Sequence, residues 1–150
     1  MPACPPCLIH GDYHLDNTLA SKQTPEILAV IDWELATVGD PYTDLGLALM
    51  LWGSERTAEP PAFSQLQAVS RRPGVMGRRE LAERWSRAAG RDLAHLDYYL
   101  AFAFWRLAAI VEGAYCLYAQ GKVDSDYARD LEHNVPALLQ EAQRAADGDW

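Results

Sequence analysis

Between Leu93 and Gly121 the sequence reads "LAHLDYYLAFAFWRLAAIVEGAYCLYAQG", and no other stretch of the 150 residues restricts the fold as strongly. Leu96, Tyr99, Leu100, Ala103, Phe104, Leu107, Ile110, Val111, Ala114, Tyr115 and Tyr118 recur at i, i+3, i+4 spacing, which predicts one long helix. The remaining face is also largely apolar, apart from Arg106 and Glu112. A helix that is hydrophobic nearly all round belongs inside a bundle, so this one is expected at the centre, buried nearly all round. No uninterrupted apolar run approaches the roughly 18 residues of a membrane span. Gly121 is placed to end the helix.

Other helices must then surround it. "GDPYTDLGLALMLW" opens with a turn and offers Leu45, Leu49 and Trp52 at helical spacing, with Thr43 or Asp44 as the expected N-cap. "GRRELAERWSRAAG" predicts a helix from about Arg78 to Ala89, closed by Gly90. "DSDYARDLEHNVPALLQEAQRAA" predicts a final helical stretch interrupted at Pro136. The proline- and glycine-rich residues 53–77 read as a loop, with one short helix near Phe63 to Val69. Residues 8–34 have a different texture: "LIH", "NTLA" and "EILAVI" are short β-type runs between polar loops. "TLA" and "ILAVI" predict a hairpin joined by a turn around Pro25. The expected organisation is a frayed terminus (1–7), then one domain (8–150) with a loop-rich part (8–34) and a helical part (40–150).

Composition excludes several classes. With 13 basic and 21 acidic residues the net charge is −8, against general nucleic-acid binding, which needs clustered positive surface. The seven arginines from Arg71 to Arg91 are a local exception. They read either as a solvated helix face with its approach loop or as a patch for an anionic group. An odd cysteine count (Cys4, Cys7, Cys116) argues against a disulfide framework, and "CPPC" reads as a frayed terminus. "MPACPPC" is no signal peptide, so a cytoplasmic location is the default, with no membrane partner.

Chemistry concentrates in "IHGDYHLDN" (9–17) and "IDWE" (31–34). Phosphoryl transfer needs a carboxylate to orient the acceptor hydroxyl and take its proton, with Mg²⁺ to neutralise phosphate charge. Mg²⁺ takes hard oxygen ligands, few of them from protein. An Asp followed five residues later by an Asn, with a second Asp after a strand, can supply those parts. Each element alone has an ordinary explanation: His-Gly-Asp as a turn, Asp32 or Asp44 as a helix cap. His14 and Asp16 are read as exposed loop residues. Arg106 and Glu112 are read as buried and paired structurally with other residues, with a place in a substrate pocket as the alternative.

In order and spacing, "HGDYHLDN", "VIDWE" and "GDPYTDLG" resemble the aminoglycoside phosphotransferase and choline kinase-like family, small-molecule relatives of the protein kinases. The stretch from Arg78 to Tyr115 resembles the subgroup sometimes fused to acyl-CoA dehydrogenases. The resemblance implies an α+β, mostly α fold: a kinase-like C-terminal lobe with a short β-hairpin by the catalytic loop and a helical bundle. It implies Asp12 as the base, Asn17 and Asp32 as ligands of Mg²⁺ and thereby of ATP, and His10 and Asp44 as supports of the loop. Trp33 and Glu34 stand where protein kinases carry Phe-Gly. Only nine residues precede His10, and Lys22 and Lys122 lack the context of a phosphate-binding lysine, so the N-terminal lobe is expected to be absent. The implied function is ATP- and Mg²⁺-dependent phosphorylation of a small hydroxylated compound. The alternative is an inactive remnant serving as a binding or assembly module. A homo-oligomer through the face an N-terminal lobe would cover is a further expectation.

Overall fold

The computed structural model describes residues 5–53 and 68–150. Strand β1 (Cys7–Ile9) pairs antiparallel with β4 (Thr37–Gly39), Leu8 facing Val38. Strands β2 (Thr18–Ala20) and β3 (Ile27–Val30) form the expected hairpin, with a bulge between Leu19 and Ala20. Ser21 closes its turn: the Oγ accepts from the amides of Gln23 and Thr24, both at 3.1 Å. Strand β4 was not legible in the sequence, because "TVG" is too short to show a period. Strand β1 begins at Cys7, inside the segment expected to be frayed.

The helices are α1 (Tyr42–Met50), α2 (Arg78–Ala89), α3 (Leu96–Ala119), α4 (Asp126–Asp130) and α5 (Asn134–Ala146). Helix α2 ends as expected, with Gly90 in the left-handed conformation at φ 64°. Helices α4 and α5 are joined by a 3₁₀ turn at Leu131–His133. The interruption therefore precedes Pro136, which sits in the first turn of α5, where a missing N–H costs nothing. The short helix expected near Phe63 to Val69 lies largely outside the described residues.

Helix α3 is the spine. It packs on α1 and α5, with Leu49, Met50, Leu100, Phe104, Leu131 and Leu138 at the heart of a continuous core. Two expectations need correction here. First, α3 is not buried all round: Tyr98, Phe102, Trp105, Ile110 and Leu117 are exposed. No described element covers that third face, and the aromatics shield one another instead. Tyr98 stacks on Phe102 (ring centroids 6.3 Å apart) and Phe102 on Trp105 (6.1 Å). Second, α3 is long and apolar enough, by length and composition, to cross a membrane, since scattered charges do not remove that property. Its buried face packs on the other helices as the core helix of a folded domain does.

The joint between α1 and α3 is tight because Gly46 has no side chain. A Cβ there would lie 2.6 Å from the Tyr99 carbonyl oxygen and 2.9 Å from its carbon, both backbone atoms that cannot swing away. Around the joint, Tyr42 stacks on Tyr99 (5.2 Å), and the Tyr99 hydroxyl donates to Asp40 Oδ2 at 2.6 Å. Gly46→Ala is expected to destabilise the fold by about 1–3 kcal/mol, the usual range for overpacking. A urea midpoint equal to that of the wild type would show that the helices can separate without penalty.

Candidate active site

The loop after β1 is built around one carboxylate. Asp44, in the first turn of α1, accepts from the His10 amide at Oδ2 (2.6 Å) and from the Gly11 amide at Oδ1 (2.8 Å). This is not the helix cap expected of it: residue 41 occupies the N-cap, and Asp40 Oδ1 takes the Tyr42 amide at 3.0 Å. Thr43 lies within the helix and caps nothing either. Gly11 is obligatory for two reasons. Its φ is 83°, and a Cβ would stand 2.5 Å from the Leu35 carbonyl oxygen.

His10 is buried beneath the loop. Its Nε2 lies 2.8 Å from the Ile31 carbonyl oxygen, and its Nδ1 is 3.3 Å from the Asp12 amide nitrogen. A single tautomer serves both, with Nε2–H donating to Ile31 and Nδ1 accepting from Asp12. The ring also packs against Trp33 (4.7 Å) and Tyr13 (6.0 Å), so it joins the two polar loops physically.

Asn17 is buried in the 3₁₀ turn Leu15–Asn17. Its Nδ2 donates to the Asp12 main-chain carbonyl at 2.8 Å and approaches Asp12 Oδ2 at 3.4 Å. Its Oδ1 makes no hydrogen bond among the described residues. The Asn17 carbonyl accepts from the Ile31 amide at 2.9 Å, which brings the next residue, Asp32, beside it. Asp32 has φ 66° and ψ 55°, left-handed backbone shared by no other non-glycine among the described residues. Its carboxylate is exposed and makes no hydrogen bond or ion pair among those residues. Left-handed backbone at a non-glycine costs free energy and clusters at functional positions, so Asp32 is a candidate for one. Asn17 Oδ1 and the Asp32 carboxylate are both hard oxygens, the donor type Mg²⁺ accepts.

Asp12 opens into a cleft of about 210 Å³, lined also by His14, Met50, Arg106, Leu107 and Ile110. His14 is half-buried rather than an exposed loop residue: its Nε2 lies 3.7 Å from Asp12 Oδ2, and its Nδ1 3.8 Å from exposed Asp16. An Asp-x-His pair in extended chain places both side chains on one face, a signal that was available in the sequence. Arg106 makes a structural contact and also lines the cleft, so both readings of it meet here. It has no carboxylate partner among the described residues and donates Nη2–H to the Gly11 carbonyl at 3.0 Å. Glu112 instead accepts from the Cys116 thiol at 3.5 Å, a contact that raises the thiol's pKa.

The arginine stretch disperses. Arg84 and Arg87 pair with Glu80 and Glu83 one turn away, and Arg79 lies over the Trp150 ring at 4.3 Å. Arg78 is buried rather than solvated. Its Nε donates to the Trp52 carbonyl, and burial lowers its pKa to about 10. The described members are spread over a helix face, its approach loop and the core, not gathered in one patch.

Comparison with known proteins places this geometry. The model of the phosphotransferase enzyme family matches residues 1–94. The chain belongs to that family. This phosphotransferase-family chain is 32% identical over 122 residues to acyl-CoA dehydrogenase family member 11 of Rattus norvegicus, covering 80% of the chain and 15% of the relative. It is 25% identical over 139 residues to a probable acyl-CoA dehydrogenase (IBR3) of Arabidopsis thaliana, covering 90% and 17%. A crystal structure from Ralstonia eutropha, assigned to the aminoglycoside phosphotransferases, superposes with a TM-score of 0.73 at 28% identity, covering 95% of this chain and 43% of that one. The kinase-like fold expected from the motifs is therefore the fold observed. The chain spans well under a fifth of the curated relatives' length.

Asp44→Asn keeps the shape but offers one acceptor where the loop needs two, and turns an NH₂ towards an N–H. It is expected to cost about 2 kcal/mol or more, the scale of a charge-assisted hydrogen bond. An unchanged denaturation midpoint would mean that the loop is held by other contacts.

Proposed function

We propose that this chain carries the acceptor and metal half of an ATP- and Mg²⁺-dependent phosphotransferase that phosphorylates a hydroxyl of a small molecule. The observation that carries the reading is the arrangement of Asp12, Asn17 and Asp32 on loops tied together through His10 and the Ile31 amide. Asn17 Oδ1 and the Asp32 carboxylate would hold the ion, which when bound neutralises phosphate charge. The chain's own residues do the rest. Asp12 accepts the proton of the acceptor hydroxyl, Asn17 Nδ2 fixes the Asp12 backbone, and His10 with Asp44 holds the loop. The cleft beside Asp12 receives the acceptor.

The acceptor class follows from that cleft and from the relatives' names. Leu107, Ile110 and Met50 suit an apolar body, and Arg106 disfavours a polycation, so a hydroxylated acyl-CoA-like compound fits better than an aminoglycoside. A second reading, an assembly module without transfer chemistry, is favoured by one observation. Leu8, Leu28 and Val38 are each about two-thirds exposed on the strand side, an apolar face that another lobe or a second copy would cover.

Transfer of labelled phosphate from ATP should be measured with hydroxyacyl thioesters and aminoglycosides as acceptors, using this chain alone and joined to a nucleotide-binding lobe. Asp12→Ala should lower the rate by roughly 10²–10⁴-fold, the range of general-base catalysis. Asp32→Ala should abolish the dependence on Mg²⁺ together with transfer. Transfer that persists in Asp12→Ala would remove the mechanism. Absence of transfer to any acceptor, with a stable oligomer in sedimentation, would favour the assembly module.

A further inference from the structure

Arg106 lies 95 residues from the loop it touches, on a different element from every other residue that shapes that loop. Its contact is with the second of the two peptide groups that flank the Gly11 Cα. The Gly11 N–H points to Asp44 Oδ1 at 2.8 Å, and the Gly11 carbonyl receives Arg106 Nη2–H at 3.0 Å. Gly11 is thus held at its nitrogen by α1 and at its oxygen by α3. The carbonyl belongs to the peptide bond that leads into Asp12, so rotating that peptide would swing the Asp12 side chain. The two grips are set at a fixed spacing, because α1 and α3 meet backbone to backbone at Gly46 and Tyr99.

We propose that Arg106 is a positioning residue: with Asp44 it forms a two-sided clamp on Gly11, gripping the peptide groups on either side of its Cα, that aims the Asp12 carboxylate into the cleft. The proposal rests on Asp12 acting as the base. Two features separate the clamp from ordinary surface packing. Arg106 has no carboxylate partner among the described residues, so its charge is not spent on an ion pair. The guanidinium also lines the same cleft as Asp12, so the clamp lies beside the place where the carboxylate must be aimed. Small errors of aim matter, since a displacement of about 1 Å at a reacting group can cost 10²-fold in rate.

The test uses Arg106→Met, which keeps the stem and removes the donor, and Arg106→Lys, which restores a charged donor. Amide hydrogen exchange on the 150-residue chain is the first readout. Arg106→Met should speed exchange at Gly11 and Asp12 by roughly tenfold or more, the opening penalty of one charge-assisted hydrogen bond. Core amides such as Leu49 and Leu138 should keep their rates, and Arg106→Lys should recover part of the protection. Uniform acceleration of all amides would make Arg106 a general stability residue, and unchanged Gly11 and Asp12 would remove the clamp; either overturns the proposal.

The second readout is phosphate transfer under the conditions given above, with Asp12→Ala as control. Arg106→Met should lower kcat by roughly 10–10²-fold with KM for the acceptor unchanged, as expected when aim rather than binding is lost. A raised KM with kcat intact would make Arg106 a substrate contact and contradict the clamp. If neither the wild type nor Asp12→Ala transfers phosphate, the functional reading fails by itself, and the exchange result still decides whether Arg106 holds the loop.

Discussion

Much of this molecule's geometry depends on one carboxylate. Asp44 receives two adjacent backbone N–H groups, from His10 and Gly11, and so ties the start of the helical part to a loop that would otherwise lie on the surface. Charge-assisted bonds to backbone amides are among the stronger polar contacts available to a protein. The bonds also fix direction. With the His10 and Gly11 amides aimed at α1, the imidazole lies underneath the loop, where it reaches the Ile31 carbonyl and draws in the second polar loop. Asp32 then follows beside Asn17 because Ile31 hydrogen-bonds the Asn17 carbonyl. One acid in the first turn of a helix thereby organises residues drawn from two separate loops.

The helices supply the rigidity that this arrangement needs. Helix α3 contacts α1 so closely at Gly46 that the pair behaves as one unit, and the Tyr42–Tyr99–Asp40 contacts close the end of that unit nearest the loop. A candidate site built on short strands and turns gains accuracy by being bolted to a packed core. The small sheets add little of their own: β1 and β4 pair over three residues, and the hairpin is four residues at its longest. Their side chains are largely exposed. The bundle, by contrast, has a continuous core from Leu45 to Ala145.

The fold was legible where period and punctuation were strong. Helix α2 could be read to the residue, because Gly77 and Gly90 bracket a clear amphipathic pattern. The hairpin was readable from a β-branched run next to a turn. Helix α3 could be placed, but its environment could not, since an apolar face carries no record of whether anything covers it. Tyr98, Phe102 and Trp105, which read as part of a buried helix, are exposed. The candidate site residues were legible as motifs, because their spacing along the chain is short. What stayed hidden was long-range: the reach of Arg106 back to Gly11, and the burial of Arg78 against Trp52. Neither leaves a local signature, because an arginine looks the same in sequence whether it faces water, a carboxylate or a backbone carbonyl.

The central claim is that Asn17 and Asp32, brought together by this loop architecture, hold a divalent cation beside Asp12. Paramagnetic relaxation by Mn²⁺ with ATP, read by NMR on the isotope-labelled chain, tests it most directly. Selective broadening of the Asn17 side-chain amide and of the Asp32 and Gly11 backbone amides, lost in Asp32→Ala, is the result this account requires. Broadening centred on other carboxylates, or identical in the wild type and the variant, would contradict it.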